Sequence, residues 1–104
     1  MIQELNVNNF DQEFNKDKPV VVEFYTTACS HCKKLAGALN KLSEEKGDDV
    51  FFGKCNIDQE ALLQSRFDIS AVPTLLFIKN GEIKNRLVGE VHPLIIQEEI
   101  KKLA

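Results

Sequence analysis

Val20-Val21-Val22-Glu23-Phe24-Tyr25 is a nearly unbroken run of β-branched and aromatic residues. A strand with one face in water alternates apolar and polar side chains, so a run of this kind belongs to a strand covered on both faces. Covering both faces takes helices above and below a sheet, which excludes a helical bundle and a half-solvated antiparallel sheet. A single acid, Glu23, interrupts the run.

The remaining segments supply the cover. Residues 3–7 read as a short alternating strand, and Asn8 as the cap of a helix that brings Phe10 and Phe14 to one face and ends by Pro19. After Thr26-Thr27-Ala28, residues 29–46 read as a long helix with Leu35, Leu39 and Leu42 on one side, stopped by Gly47. Residues 50–57 (VFFGKCNI) are a second buried strand, and residues 61–67 a short helix begun by Asp58. Residues 74–78 and 83–88 form an antiparallel hairpin across Asn80-Gly81, a dipeptide suited to a two-residue turn. A last amphipathic helix starts near Pro93 and carries Leu94, Ile95, Ile100 and Leu103. The order β-α-β-α-β-α-β-β-α predicts an α/β fold, a central mixed sheet with helices on both faces. No repeat or linker breaks the chain, and 104 residues suffice for one core, so residues 1–104 are expected to form a single domain.

Thirteen Lys and Arg against 16 Asp and Glu leave a net charge of −3 without a basic block, so neither nucleic acid nor an anionic membrane is an expected partner. No apolar run approaches the roughly 18 to 20 residues of a membrane span. The opening MIQELNVNNF lacks the basic and apolar regions of a secretory signal, which gives cytoplasmic location as the expectation.

Three cysteines are too few for a disulfide scaffold, and two of them lie together in Cys29-Ser30-His31-Cys32. Cys29 stands where a buried strand hands over to a helix, among free backbone N–H groups and the positive end of the helix dipole, which favours a thiolate. Such surroundings lower a cysteine pKa from about 8.5 to roughly 3.5–7.5. Cys32, three residues on, shares the helix face and lies within reach of a disulfide. A zinc site would need a second cysteine pair, and only Cys55 remains, inside a predicted strand as a core thiol; no metal is expected. His92, beside Pro93 at a helix start, reads as structural.

Taken with a buried strand carrying one acid, a Val-Pro-Thr some forty residues later and a hairpin ending in Val-Gly, the pair has a recognisable setting. The chain resembles the thioredoxins over nearly its whole length, in VVVEFY, CSHCKKL, KCNIDQE, AVPTLLFIKNGEI and LVGE. The resemblance implies a thioredoxin fold and a thiol–disulfide oxidoreductase that reduces protein disulfides. Cys29 would attack the substrate disulfide and Cys32 would resolve the mixed disulfide, an order that exchange chemistry also requires. Glu23 matches the family's buried acid behind the second cysteine, and a lone buried carboxylate of raised pKa suits a proton acceptor for Cys32. Lys54 matches that acid's partner. Pro73 matches the family's cis-proline, which with Val72 before it and Gly89 forms the groove for substrate backbone. No cofactor is implied beyond the dithiol itself; the implied partners are disulfide-containing proteins and an NADPH-dependent flavoprotein thioredoxin reductase, with the chain itself a monomer.

The active-site segment departs from the family's usual Trp-Cys-Gly-Pro-Cys. Ala28 replaces the indole that flanks the nucleophile, and Ser30 and His31 stand between the cysteines as candidate redox-tuning residues. A histidine there resembles the disulfide isomerases, since an imidazolium beside the nucleophile stabilises its thiolate and the reduced form. That gives the expectation of a couple more oxidising than an ordinary thioredoxin, between about −270 and −180 mV, and the alternatives of an isomerase-like or glutathione-coupled, glutaredoxin-like enzyme. From another class, the fold could serve as a binding module with a vestigial dithiol.

Overall fold

The run Val20–Tyr25 forms strand β2 and occupies the middle of a five-stranded sheet. In the computed structural model, which describes residues 2–104, the elements follow as β1 (Gln3–Glu4), α1 (Phe10–Phe14), β2, α2 (Ser30–Lys46), a 3-10 turn (Gly47–Asp49), β3 (Phe51–Asn56), α3 (Ala61–Arg66), β4 (Thr74–Lys79), β5 (Glu82–Val88) and α4 (Pro93–Lys102). The sheet order is β1-β3-β2-β4-β5. β1, β3 and β2 run parallel, joined through helices, whereas β4 and β5 run antiparallel to their neighbours. Asn80 and Gly81, both at positive φ, close the β4–β5 hairpin between the paired Lys79 and Glu82. This is the α/β mixed sheet that the sequence predicts.

Strand alternation divides the core in two. Val20, Val22 and Phe24 of β2 point to one side, with Cys55, Leu76 and Ile78 from the neighbouring strands and Phe10, Leu63 and Phe67 from α1, α3 and the residue after it. Phe10, Phe14, Phe24 and Phe67 meet there with ring centroids 5.1–6.4 Å apart. Val21 points to the other side, where Leu35, Leu39 and Leu42 of α2 and Ile96 and Ile100 of α4 cover Phe52, Leu75 and Phe77. Glu23 has the parity of Val21, so strand geometry turns it toward the face that α2 covers. No helix among the described residues is long and apolar enough to cross a membrane.

Several local expectations are corrected. β1 pairs only through Gln3 and Glu4, because the Asn6 and Asn9 side chains then bond nearby backbone N–H groups and turn the chain away. The cap position of α1 is Asn9 rather than Asn8, and α3 begins after Glu60 rather than at Asp58. On α4 the inward stripe is Ile96, Ile100 and Leu103, whereas Leu94 and Ile95 are exposed, since 100° per residue cannot bring all five to one face. His92 caps α4, its Nδ1 accepting the Leu94 N–H at 3.1 Å.

Candidate functional site

Both cysteines sit where β2 passes into α2. Cys29 is the N-cap residue, in extended conformation, and the Cys32 backbone N–H donates to its Sγ at 3.1 Å. An N–H of the first helical turn thus points at the sulfur, an environment that stabilises a thiolate once the bond is reduced. The two are joined in a disulfide with Cα atoms 5.2 Å apart. Cys29 is half-buried and Cys32 is buried, the asymmetry an attacking and a resolving sulfur require. The preceding loop is held by the strand next door: Asn56 Nδ2 donates to Thr27 Oγ1 at 3.0 Å, and the Thr27 N–H donates to Asp58 Oδ2 at 3.4 Å.

Behind the disulfide lies an open cavity of about 430 Å³ lined by Glu23, Tyr25, Cys32, Lys33, Lys54 and Asn56, among others. Glu23 is 1% exposed, and its Oε2 is buried without a hydrogen-bond partner. Burial raises its pKa to about 7, against the opposing pull of the Lys54 charge. Lys54 stands opposite Glu23 in the β2–β3 ladder. Its ammonium lies 3.9 Å from Glu4 Oε1 and 5.8 Å from the centre of the Tyr25 ring, and Tyr25 donates its hydroxyl to both Glu4 oxygens, at 2.8 and 3.0 Å. Glu23, Lys54 and Cys32 therefore meet in one cavity, with Lys54 tethered outward by Glu4.

On the other side, Thr74 pairs with Phe24 and with Val88, which brings the start of β4 and the end of β5 to the same end of the sheet as the dithiol. Pro73 is buried there, in a cis peptide bond with the half-buried Val72, and its carbonyl accepts the Gly89 N–H at 2.7 Å. Gly89 has φ +92°, a conformation that favours glycine. The next residue, Glu90, reaches His31 on α2: Oε1 accepts from Nδ1 at 2.6 Å, both side chains being largely exposed. This hydrogen bond holds the Glu90 carboxyl below the usual carboxylate range, aided by the Lys34 charge.

Every residue anticipated from the sequence except Ser30 is placed in one of these contacts or in the cavity; Ser30 is exposed at the first position of α2. Cys55 is fully buried in the opposite core. Among the described residues, no three His, Cys, Asp or Glu side chains gather as a metal ion would require. Sequence reading missed Glu4, Tyr25, Asn56 and Asp58, which brace the cavity and the loop, and Glu90. Asn56 and Asp58 carried a usable sign, as polar residues at the C-terminal end of a buried strand, where α/β sheets place their sites.

The family model described as Thioredoxin matches residues 1–102. The chain is 36% identical to the thioredoxin of Alicyclobacillus acidocaldarius subsp. acidocaldarius over 78% of its own length and 77% of that protein's. It is 37% identical to Thioredoxin-1 of Saccharomyces cerevisiae over 89% of its length and 88% of the relative's. Against longer organelle relatives, such as the mitochondrial thioredoxin of Mus musculus and the chloroplastic M-type thioredoxin of Pisum sativum, it spans 56% and 59% of the relative's length. Among solved structures, the thioredoxin of Malassezia sympodialis superimposes with a TM-score of 0.89 at 31% identity, covering 99% of this chain and 90% of that one.

Proposed function

This chain belongs to the thioredoxin family and is a thiol–disulfide oxidoreductase, and from that premise we propose how its residues divide the work of reducing a protein disulfide. The Cys29 thiolate attacks one sulfur of the substrate disulfide, breaking that bond, forming a mixed disulfide and releasing the first substrate thiolate. Cys32 then loses its proton to the Glu23 carboxylate and attacks Cys29 Sγ. The second substrate thiolate leaves, the Cys29–Cys32 disulfide forms, and two electrons have passed to the substrate. Lys54 modulates the proton affinity of Glu23. Val72, Pro73 and Gly89 hold the substrate backbone beside the sulfurs.

The observation that carries this division is the cavity shared by buried Cys32 and the unpaired carboxylate oxygen of Glu23. A base placed behind the resolving sulfur, and away from the more exposed Cys29, suits the second step and not the first. We propose further that the oxidised dithiol is re-reduced by an NADPH-dependent flavoprotein reductase and that the chain works as a monomer in a reducing compartment, the cytoplasm. The thioredoxin relatives favour this reductase reading over an isomerase-like or glutaredoxin-like one.

Insulin reduction in the presence of dithiothreitol tests the reading. Cys29→Ser is expected to abolish it, and reduced Cys32→Ser, mixed with insulin after the dithiothreitol is removed, to accumulate as protein covalently joined to substrate through Cys29. Full activity in Cys29→Ser would overturn the assignment of Cys29, and a parent protein no faster than dithiothreitol alone would leave the binding-module reading.

A further inference from the structure

His31 and Glu90 are 59 residues apart, and their contact ties the first turn of α2 to the segment between β5 and α4. Gly89, next to Glu90 in the chain, donates its N–H to the Pro73 carbonyl, so the pair links the first turn of α2 to the cis-proline segment. Facing a carboxylate, His31 Nδ1 must carry a hydrogen, and the imidazole is held by that atom toward Glu90.

We infer that Glu90 is a positioning residue for His31: it holds the ring by Nδ1 on the β5–α4 side and provides a counter-charge there, so that His31 does not stabilise the Cys29 thiolate. This rests on the redox reading above and revises one expectation drawn from the sequence. An unpaired imidazolium between the cysteines would stabilise the thiolate, favour the reduced dithiol and make the couple more oxidising. A carboxylate 2.6 Å from the ring balances the charge of a protonated imidazole, so that the pair as a whole presents little net charge to the sulfur. The pairing thereby reconciles an isomerase-like histidine with a reductase family. The other charges near the dithiol include Lys33 on the cavity wall, Lys34, which also acts on Glu90, Glu23 with Lys54 across the cavity, and Asp58, bonded to the loop before Cys29; they are the same in every variant below.

A double-mutant cycle tests the inference, read by ultraviolet titration of the Cys29 thiolate in the reduced protein and by equilibrium with glutathione. Glu90→Gln in the parent chain is expected to make Cys29 about tenfold more acidic and to shift the equilibrium toward reduced protein by a similar factor, about 30 mV for a two-electron couple. In a His31→Ala background the same substitution is expected to change either quantity by less than about threefold. Equal shifts in the two backgrounds would mean that Glu90 acts by its own charge alone, and no shift in the parent would mean that it does not act on the dithiol; either overturns the proposal. Both side chains are largely exposed, at 66% and 43%, so the variants should fold, and thermal denaturation checks this. Insulin reduction surviving Cys29→Ser would strike the redox reading instead, independently of how the cycle comes out.

Discussion

Glu23 and Lys54 stand opposite each other in the β2–β3 ladder, yet the Lys54 ammonium forms its ion pair with Glu4, at 3.9 Å, and none within 4 Å with Glu23. The lysine is close enough to lower the proton affinity of Glu23 and too far to cancel the effect of burial, so the carboxyl rests at about 7. A tight pair would fix Glu23 as a carboxylate at all useful pH values, and an unaccompanied acid would stay protonated. Near 7, it exchanges a proton readily in either direction.

That setting has a cost in stability. The folded protein holds a proton on Glu23 up to about pH 7, whereas the unfolded chain releases it near 4.5. Between these values the folded state binds more protons, so stability is full below about 4.5 and falls as pH rises through 7. The displacement corresponds to about 3 kcal/mol once Glu23 is ionised. Urea denaturation of the oxidised protein at pH 5 and pH 8 should show this loss, and Glu23→Gln should remove most of it. Parallel pH profiles for the two proteins would contradict the assignment.

The same substitution should slow resolution of the mixed disulfide by about 100-fold near neutral pH, the usual worth of a positioned base. Stopped quench of a turnover should then reveal accumulated mixed disulfide. The rise of the parent rate as pH passes about 7 should be absent from Glu23→Gln. An unchanged rate would assign proton removal to solvent through the cavity.

Cys55 is buried beneath the aromatic face of the sheet, and burial, with the charges of Glu60 and Glu4, pushes its thiol up to about 12. It should stay inert while the fold holds. Mass spectrometry after iodoacetamide treatment of the reduced protein should find the half-buried Cys29 labelled in native buffer, and Cys55 only in denaturant. Native labelling of Cys55 would show that its strand opens.

His92→Ala should destabilise the protein by about 1 kcal/mol, because the Leu94 N–H loses its acceptor at the start of α4. His92→Asn should recover most of that loss in thermal denaturation. If alanine proves neutral, the cap contact contributes nothing measurable.

The parts of this molecule that were legible in the sequence are those that depend on local pattern. VVVEFY announced a strand buried on both faces, C-x-x-C marked the dithiol, and Asn80-Gly81 marked the hairpin turn, each through a constraint acting within a few residues. Helix phase was harder, as Leu94 and Ile95 show: apolar residues fix the presence of an inward stripe, and only the contact with the sheet selects Ile96 and Ile100. Contacts between distant segments were illegible. Nothing near Glu90 points to His31, and nothing near Glu4 points to Tyr25 and Lys54, since exposed polar side chains carry no periodicity.

The alternation that gives Val20, Val22 and Phe24 to one core and Val21 and Glu23 to the other has a bearing on how this protein can change over time. Gain or loss of one residue in β2 would exchange the two sets, setting the acid among phenylalanine rings and removing it from the resolving sulfur. Such a lesion destroys folding and chemistry together and is eliminated at once. Cys29, half-buried at the cap of α2, is under no such tie to the core. Replacing Glu23 in place requires no such shift and relieves the cost of burying an acid, so a lineage that lost the reaction would gain stability by losing the acid as well.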